Sequence, residues 1–464
     1  MTKHIRKIIY LFITISFVSV AVFFGIYFKK IYSINQEYYE KYNTDSPVAL
    51  RKFPYPFKAA MAINSDIDNT ETVEEFIEIQ KFLNTRKMTS MGEGIGLEIG
   101  NSFFFYEPPT GAISYFFGGP EVAKAIVPLI RAGYIDTIHS FGKKLDFSRK
   151  DAIDALRELN NNNCKVDIWV DHSRTSDNFG DDVTMGFGDH PGLKEYHSDL
   201  MIAYGIKFAW IGRVTMITGQ SVPVTFRTFT SIFDAEHSIN SILNITKEFT
   251  KNVLGVFGNK KYAMHKKNDL VKITELDDGQ KVYEFMRFDN YWQGVATGAD
   301  SKGLAYVISR KTLDRLKDVG GYMIVYTHLG RNSDCSQYVC KKTQSALRNL
   351  AEEYEAGNIY VTTTSKLLNY YVNHKYLNWS YELNNGELNI HIYNVKDPIF
   401  GTFIPTAKDL QGITFYVPDK NISRIFIDEK EIIDIQRNSL DYTGRESVTI
   451  PLTFLKYPAY SNSN

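Results

Sequence analysis

The 464-residue chain contains only three cysteines, Cys164, Cys335 and Cys340. So few cysteines exclude a fold held together by a disulfide framework, and the absence of a C-x-x-C pair excludes a simple zinc ribbon. Cys335 and Cys340 are close enough in sequence to form one small loop disulfide. An excess of charge is also lacking, because Lys+Arg and Asp+Glu are both 53. This balance predicts neither a nucleic-acid partner nor an acidic tail.

The chain is rich in apolar residues, with 44% hydrophobic and 14% aromatic side chains. That content is ample for a large buried core and indicates about two domains. We find no fixed-period repeat and no long low-complexity tract.

The N-terminus contains an uncharged apolar run, Ile8 to Phe28. A run of this length can span a bilayer as a helix, and the basic residues before it favour a cytoplasmic N-terminus. The alternative is a cleaved signal peptide, with "SVA" at residues 19–21 as the cleavage site. Because the apolar run continues past this site, we predict an uncleaved single-pass membrane anchor over 1–30. The body would then be extracytoplasmic, in the periplasm or at the cell surface.

Residues 31–53 are polar and predict a linker. Over 54–375, short apolar runs alternate with segments that have helical periodicity, which is typical of parallel βαβ units. Six or seven units in this length predict an α/β fold, a closed or nearly closed (β/α)7-type barrel. Two segments interrupt the rhythm: 91–119, predicted to be a β-hairpin insert, and 215–257, with the strand-like stretch "SVPVTFRTF" followed by a helix.

The alternation stops after about residue 375. Short strand-like runs separated by turn residues follow, including the hairpin signal "NNG" at residues 384–386. We predict a small antiparallel β-sandwich domain over 376–464.

Polar residues end several of the predicted strands. In parallel α/β folds, reactive groups gather at the carboxyl ends of the strands. Three of the chain's ten histidines and several acids take such places. These strand-end residues are Asp66 and Asp68 in "NSDIDN", His139 in "TIHS", Asp171 and His172 in "WVDHS", and His328 in "YTHL".

An aspartate and two histidines are suitable ligands for a divalent metal such as zinc, with one position left for water. Such a metal lowers the pKa of the bound water. A second carboxylate can then take a proton from the water, and a further histidine can protonate a leaving group. These residue types therefore predict hydrolysis of an amide or ester. The competing interpretation of Asp66 and Asp68 is capping of the next helix.

The order of an aspartate pair, "IHS" and a late "TH" resembles the polysaccharide deacetylases of the chitooligosaccharide deacetylase superfamily. That family has a (β/α)7-type barrel and removes acetyl groups from acetylated sugars. The resemblance, over about residues 55 to 375, implies Asp66 as catalytic base and Asp68 as metal ligand. It also implies His139 as a metal ligand and His328 as catalytic acid.

The chain departs from the family pattern at several positions. Ile67 separates the two aspartates, although residues i and i+2 of a strand still face the same side. The second histidine of the family's H-S-x-x-H motif would fall at Lys143, so we predict His172 as the replacement metal ligand. No R-x-P-x-G motif is present. The candidate substrate-binding residues are Arg174, Asn178, Arg213, Arg287 and Trp292, each of which could instead be structural.

The sequence thus predicts a membrane-anchored, zinc-type metal-dependent deacetylase that acts on a carbohydrate or polysaccharide. Two other functions stay open. A glycoside hydrolase would need a distant second carboxylate, such as Asp171 or Asp289. A non-catalytic glycan-binding or assembly protein would agree with the missing second histidine of the motif.

Overall fold

The computed structural model describes residues 3–42, 46–108, 112–142, 144, 146–180, 182–294, 299–332 and 335–459, with side chains from Phe17 onward. The described part has twelve α-helices: α1 Lys3–Tyr42, α2 Val73–Asn84, α3 Pro120–Ala132, α4 Arg149–Asn161, α5 Ser198–Tyr204, α6 Phe226–Thr230, α7 Ser238–Val256, α8 Ala263–Lys267, α9 Leu304–Val307, α10 Arg310–Val319, α11 Lys341–Glu355 and α12 Thr364–Tyr376.

The strands up to residue 362 are β1 Ala49–Arg51, β2 Ala59–Ser65, β3 Met88–Thr89, β4 Gly92–Glu93, β5 Gly100–Phe103, β6 Ile135–His139, β7 Ile168–Val170, β8 Phe208–Trp210, β9 Val214–Thr215, β10 Val271–Glu275, β11 Lys281–Phe285, β12 Arg287–Phe288, β13 Tyr322–Thr327 and β14 Ile359–Thr362. The later strands are β15 Leu377–Asn384, β16 Glu387–Asp397, β17 Gly401–Phe403, β18 Thr414–Val417, β19 Ser423–Ile427, β20 Lys430–Glu431, β21 Gln436–Asn438 and β22 Glu446–Thr449.

The largest sheet is curled into a half-barrel. Ten of its strands follow the order β10-β11-β8-β7-β6-β5-β2-β13-β12-β9, and β14 also pairs with β2. The pairs from β8 through β13 are parallel. All seven residues of β2 are buried, as expected for a strand that is covered on both faces. The chain is therefore a mixed α/β protein, as the alternating pattern predicts.

Strands β11 and β12 are separated only by Met286. Tyr283 of β11 is in register with Phe208 of β8, whereas Phe288 of β12 is in register with Val325 of β13. The single stretch 281–288 therefore contacts two strands that lie far apart in the order of the sheet.

The structure corrects two local predictions. Within the described residues of 91–119 the main strand is β5, which joins the parallel sheet between β2 and β6. A short hairpin of two two-residue strands, β3 and β4, lies at the start of this segment and begins before it. The stretch "SVPVTFRTF" contains no strand in its described residues and instead leads into α6. Thr225 and Thr228 form a capping box there, so local hydrogen bonding at this helix start overrides the β-propensity of the apolar residues.

The C-terminal segment contributes to two sheets. One has the order β1-β18-β22-β21, and the other has β15-β16-β19-β20 with β17 paired to β16. The prediction of a purely antiparallel segment needs correction, because β16 and β19 are parallel. The two strands run alongside each other because the chain crosses over through β17 and β18 between them. Apolar residues of both sheets pack in one cluster with residues of the large sheet.

The predicted linker, 31–53, contains regular structure. Helix α1 continues to Tyr42, and β1 pairs with β18 of the C-terminal segment. In the described residues, one helix is long and apolar enough to cross a membrane, Phe17–Tyr42, and a signal sequence near an N-terminus meets the same criteria. Cys335 and Cys340 form a disulfide, and Cys164 is a buried free thiol.

Candidate functional site

Four strands of the curled sheet carry the predicted site residues at or just after their carboxyl ends. Asp66 and Asp68 follow β2, His139 ends β6, His172 follows β7, and His328 follows β13. These strands are parallel members of one continuous row. Their carboxyl ends therefore share one edge, and all five side chains line one cavity of about 250 Å³.

Asp68 lies at the centre of this group. Its Oδ1 is 3.1 Å from His172 Nε2, and its Oδ2 is 3.5 Å from His139 Nδ1 and 3.5 Å from His328 Nε2. One ligand atom each from Asp68, His139 and His172 falls within a set whose members are at most 4.8 Å apart. The structure thus brings together the three residues that the sequence predicts as metal ligands, including His172, which no motif identifies.

Asp66 faces the same cavity but has a different principal partner. Arg287 donates from Nη1 to Asp66 Oδ2 at 3.2 Å and from Nη2 to Asp66 Oδ1 at 3.4 Å. His139 Nδ1 is 3.8 Å from Asp66 Oδ1, and His328 Nε2 is 4.0 Å from Asp66 Oδ2. Asp66 is therefore held by a two-pronged arginine contact and stands between the two imidazoles.

The guanidinium of Arg287 is enclosed by aromatic rings. Its central carbon lies 4.5 Å from the centroid of Trp210 and 4.7 Å from that of Tyr326. Such rings fix a planar cation while excluding water. Arg287 is one of the predicted substrate-binding residues, and the structure places it against Asp66, where it orients a carboxylate.

A hydrogen bond to the backbone fixes the orientation of the His328 ring. Its Nδ1 hydrogen-bonds to the carbonyl oxygen of Ala299. This contact requires a proton on Nδ1 and directs Nε2 to the two aspartates. His139 stacks on Phe104, with ring centroids 4.8 Å apart, so its ring is also fixed.

Two polar atoms at the centre of the site, Asp68 Oδ2 and His139 Nδ1, have no hydrogen-bond partner among the described residues. His172 Nδ1, the ring nitrogen that does not contact Asp68, also has none. Buried polar atoms are rarely left unsatisfied without a functional reason. Two ligand atoms that each lie about 2.1 Å from one tetrahedral zinc ion are about 3.4 Å apart. The 3.5 Å between Asp68 Oδ2 and His139 Nδ1 agrees with that spacing. The residues present therefore fit a divalent metal.

Burial and neighbouring charges together lower the pKa of His139 and of both aspartates, so all three groups are deprotonated at neutral pH. Burial lowers the pKa of His139 to about 3, so its imidazole is neutral and can act as a ligand. Burial is the strongest single influence on the pKa of Asp66 and raises it, but Arg287, His139 and His328 together outweigh burial and the net pKa lies below the usual value. For Asp68, burial is outweighed by the hydrogen bond with His172 and the neighbouring histidines, and its pKa is well below the usual value. Both aspartates are therefore ionised at neutral pH.

Three of the predicted substrate-binding residues make structural contacts away from the cavity. Asn178 accepts from the backbone NH of His172 at 2.9 Å and donates to Ser173 O at 3.1 Å, which shapes the loop after β7. Arg213 pairs with Asp182 and the buried Glu284 at 2.9 and 3.0 Å. Trp292 stacks on His237 with centroids 4.1 Å apart.

Arg174 is exposed and does not line the cavity. Lys143, the position where the family pattern would place its second histidine, lies outside the described residues.

The two candidates for the distant second carboxylate of a glycoside hydrolase, Asp171 and Asp289, have different surroundings. Asp171 lines the cavity, but its carboxylate accepts from Trp169 Nε1, Thr184 Oγ1 and the backbone NH groups of Phe179 and Gly180. Asp289 is buried, and its Oδ2 has no hydrogen-bond partner among the described residues. Burial raises the pKa of each to about 7. Asp171 therefore organises the loop that carries His172.

Several cavity residues escape sequence reasoning. Trp210, Tyr326 and Arg331 line the cavity with Ser173, and Arg331 Nη2 lies 3.7 Å from Asp68 Oδ1. Arg331 follows His328 by three residues. This proximity to a predicted site residue is the only sequence signal that Arg331 lies in the cavity. Trp210 is the last residue of β8 and Tyr326 the last but one of β13, and in the sequence both resemble ordinary core positions.

Comparison of the chain with protein-family models, with curated proteins and with solved structures finds no match.

Proposed function

We propose that this chain is a metal-dependent hydrolase that removes acetyl groups from a carbohydrate or polysaccharide. The observation that carries the proposal is the convergence of Asp68, His139 and His172 around unpartnered polar atoms, beside an ionised Asp66 and an oriented His328. A structural cluster would satisfy its own buried polar atoms, whereas a metal site leaves them for the ion.

Asp68, His139 and His172 would hold the ion, with zinc as the expected metal. When bound, a divalent metal activates water and polarises a carbonyl oxygen. The neutral state of His139 and the ionised state of Asp68 are the forms that ligation needs.

Asp66 is the proposed base, because its carboxylate is ionised and kept in place by Arg287. Removing a proton from water leaves hydroxide to attack the acetyl carbonyl. His328 Nε2 lies 4.0 Å from Asp66 Oδ2, close enough to receive that proton after a small movement. His328 can then deliver it to the departing sugar nitrogen or oxygen while the acetyl group leaves as acetate.

The proposal of a sugar substrate rests on the resemblance to polysaccharide deacetylases. The fold supports that resemblance, because the stretch 281–288 pairs with β8 on one side and β13 on the other. Counting 281–288 as one strand gives a ring of seven with β2, β5, β6, β7, β8 and β13. We therefore propose a (β/α)7-type barrel, followed by a β-sandwich built from the two C-terminal sheets.

The helix α1 would be an uncleaved single-pass anchor, with the barrel on the extracytoplasmic side.

The metal site favours deacetylation over glycoside hydrolysis. Asp66 and Asp68 share contacts with His139 and His328, so they converge on one point and do not flank a sugar bond. The carboxylate of Asp171 is occupied by four hydrogen bonds. Inverting and retaining glycosidases need two available carboxyl groups about 5–9.5 Å apart.

The test is acetate release from acetylated glycans by the zinc-loaded full chain, for wild type and Asp66→Asn. We expect a loss of about 10²- to 10⁴-fold in the variant, as for removal of a general base, with metal content unchanged. Asp277→Asn, at a largely exposed carboxylate outside this site, is the matched control and should match wild type. Absence of acetate from wild type, or equal rates in wild type and Asp66→Asn, would show that the assignment is wrong.

A further inference from the structure

Helix α7 carries large apolar side chains on its outward face, in addition to the apolar residues that pack on its inward face. Its inward-facing positions include the buried residues Ser241, Glu248 and Asn252. Its most exposed large side chains are Ile239 at 75% and Leu243 at 62% exposure. A helix on the surface of a water-soluble protein normally buries its apolar stripe and exposes its polar one.

The inward polar groups fix the rotation of the helix. Ser241 Oγ accepts from the backbone NH of Asp234 at 2.9 Å. Glu248 accepts from Thr215 Oγ1 at 3.1 Å, and Asn252 donates to His265 O at 2.6 Å. Turning the helix to bury the exposed Ile239 and Ile242 would break these contacts, so these two side chains are held outward.

We define the α7 stripe as the exposed large apolar residues along this helix and its end: Ile239, Ile242, Leu243, Leu254 and Phe257. An exposed lysine, Lys247, lies beside the stripe. The two threonines between its residues, Thr246 and Thr250, donate their hydroxyls to Ile242 O and Thr246 O at 2.8 Å each. Their hydrogen-bonding capacity is therefore used within the helix, and Lys247 is the charged group next to this apolar surface.

The stripe is continuous with the apolar N-terminal helix. Phe257 stacks on Phe23 of α1, with ring centroids 5.1 Å apart. One turn further along α1, Tyr27 is buried and donates to Asn252 Oδ1 at 2.8 Å. If α1 crosses a bilayer, Phe257 therefore lies at the depth of the apolar part of α1.

Positive charge lies at the same end of the stripe. The ammonium of Lys30 is 5.1 Å from the ring centroid of Phe257, and the exposed Lys260 follows three residues after that ring. Amphipathic helices that lie in a membrane interface combine an exposed apolar stripe with flanking lysines, which attract anionic headgroups.

We propose that the α7 stripe lies on the lipid bilayer and forms a second membrane contact, which holds the barrel against the surface. This inference rests on the membrane anchor in the proposed function and is independent of its chemistry. The exposed Phe226 of α6 extends the contact, because α6 packs on α7 through Phe229 and Phe249, whose centroids are 5.4 Å apart.

The experiment uses the full chain in liposomes of phosphatidylcholine and phosphatidylglycerol. Spin labels are attached to single added cysteines in Leu243→Cys, Ile433→Cys and Val20→Cys, one per sample, and the unmodified chain gives the background. Ile433 is the matched control, since it is 88% exposed in the C-terminal segment. The measurement is the ratio of label collisions with lipid-soluble oxygen to collisions with a water-soluble nickel chelate.

We expect a several-fold higher ratio at Leu243 than at Ile433. Equal ratios would overturn the inference, as would an immobilised Leu243 label with a low ratio, which would indicate contact with a second protein molecule. The Val20 label tests the anchor separately. A high ratio at Val20 with a low one at Leu243 would refute the α7 contact alone. Neither the Val20 nor the Leu243 measurement depends on acetate release.

Discussion

Removing Arg287 tests the electrostatic design of the site directly. Arg287 and Asp66 are each 2% exposed at their side chains, and they form a two-pronged contact. Arg287→Gln leaves the Asp66 carboxylate buried without its cation. Removing one partner of a buried pair costs about 3–5 kcal/mol, because the remaining charge is no longer compensated. The variant also loses the packing of the guanidinium between Trp210 and Tyr326.

This cost can be measured as a fall in melting temperature. At about 2.1 cal/mol/K per residue, the unfolding entropy of the 464 residues is about 1 kcal/mol/K. A loss of 3–5 kcal/mol therefore corresponds to a decrease of about 3–5 °C. The assay is thermal unfolding of the full chain in detergent with a chelator, followed by intrinsic fluorescence.

The double variant Arg287→Gln/Asp66→Asn provides the decisive comparison. Asparagine has no charge to compensate, so we expect the double variant to regain about half of the lost stability or more. Arg331→Gln is the control, since Arg331 is 41% exposed and lies 3.7 Å from Asp68; we expect a loss below about 1 kcal/mol. A double variant as unstable as Arg287→Gln, or an Arg287→Gln variant no less stable than Arg331→Gln, would refute the reasoning.

Three further predictions concern zinc binding, the buried Asp289 and the buried ion pair of Arg51. Wild type should bind about one zinc ion per chain, and mass spectrometry of the metal should show its loss in Asp68→Ala but not in Asp277→Ala, which alters the second His/Asp group. Burial raises the pKa of Asp289 to about 7 from an ordinary value near 3.8; the folded state therefore binds this proton more tightly, and stability falls as pH rises from about 4 to 7. The melting temperature of Asp289→Asn should fall less over that range than that of wild type, and parallel curves would contradict this. Arg51→Ala should lower the free energy of unfolding by about 3–5 kcal/mol, because it leaves a buried acid unpaired. Arg424→Ala, at an exposed ion pair, should lower it by less than about 1 kcal/mol. Equal losses in thermal unfolding would contradict this difference between buried and exposed pairs.

Much of the candidate site could be predicted from the sequence because it depends on local order. Asp66, Asp68, His139 and His328 each end an apolar run, and parallel strands place such ends at one edge. His172 was predicted by the same reasoning although no motif includes it, and the structure places it 3.1 Å from Asp68. Position at the end of a strand thus indicates the placement of His172 in this cluster, where no family motif does.

Predictions failed where the decisive contacts are distant in sequence. Arg287 contacts Asp66 across 221 residues, so no local pattern could distinguish a carboxylate-orienting arginine from the buried ion pair of Arg213. Strand β5 was missed because its four residues, Gly100–Phe103, include a glycine, an asparagine and a serine. Its place in the sheet depends on pairing with β2 and β6.

The sequence by itself determined the alternation of strands and helices, the apolar N-terminal helix and the acids and histidines at the strand ends, because each depends on residues within a few turns. Only the tertiary structure decided which of these polar groups meet, which arginine accompanies Asp66, and which face of α7 points outward. Those outcomes depend on packing and on the pairing of buried charges, whose partners are chosen by the fold as a whole.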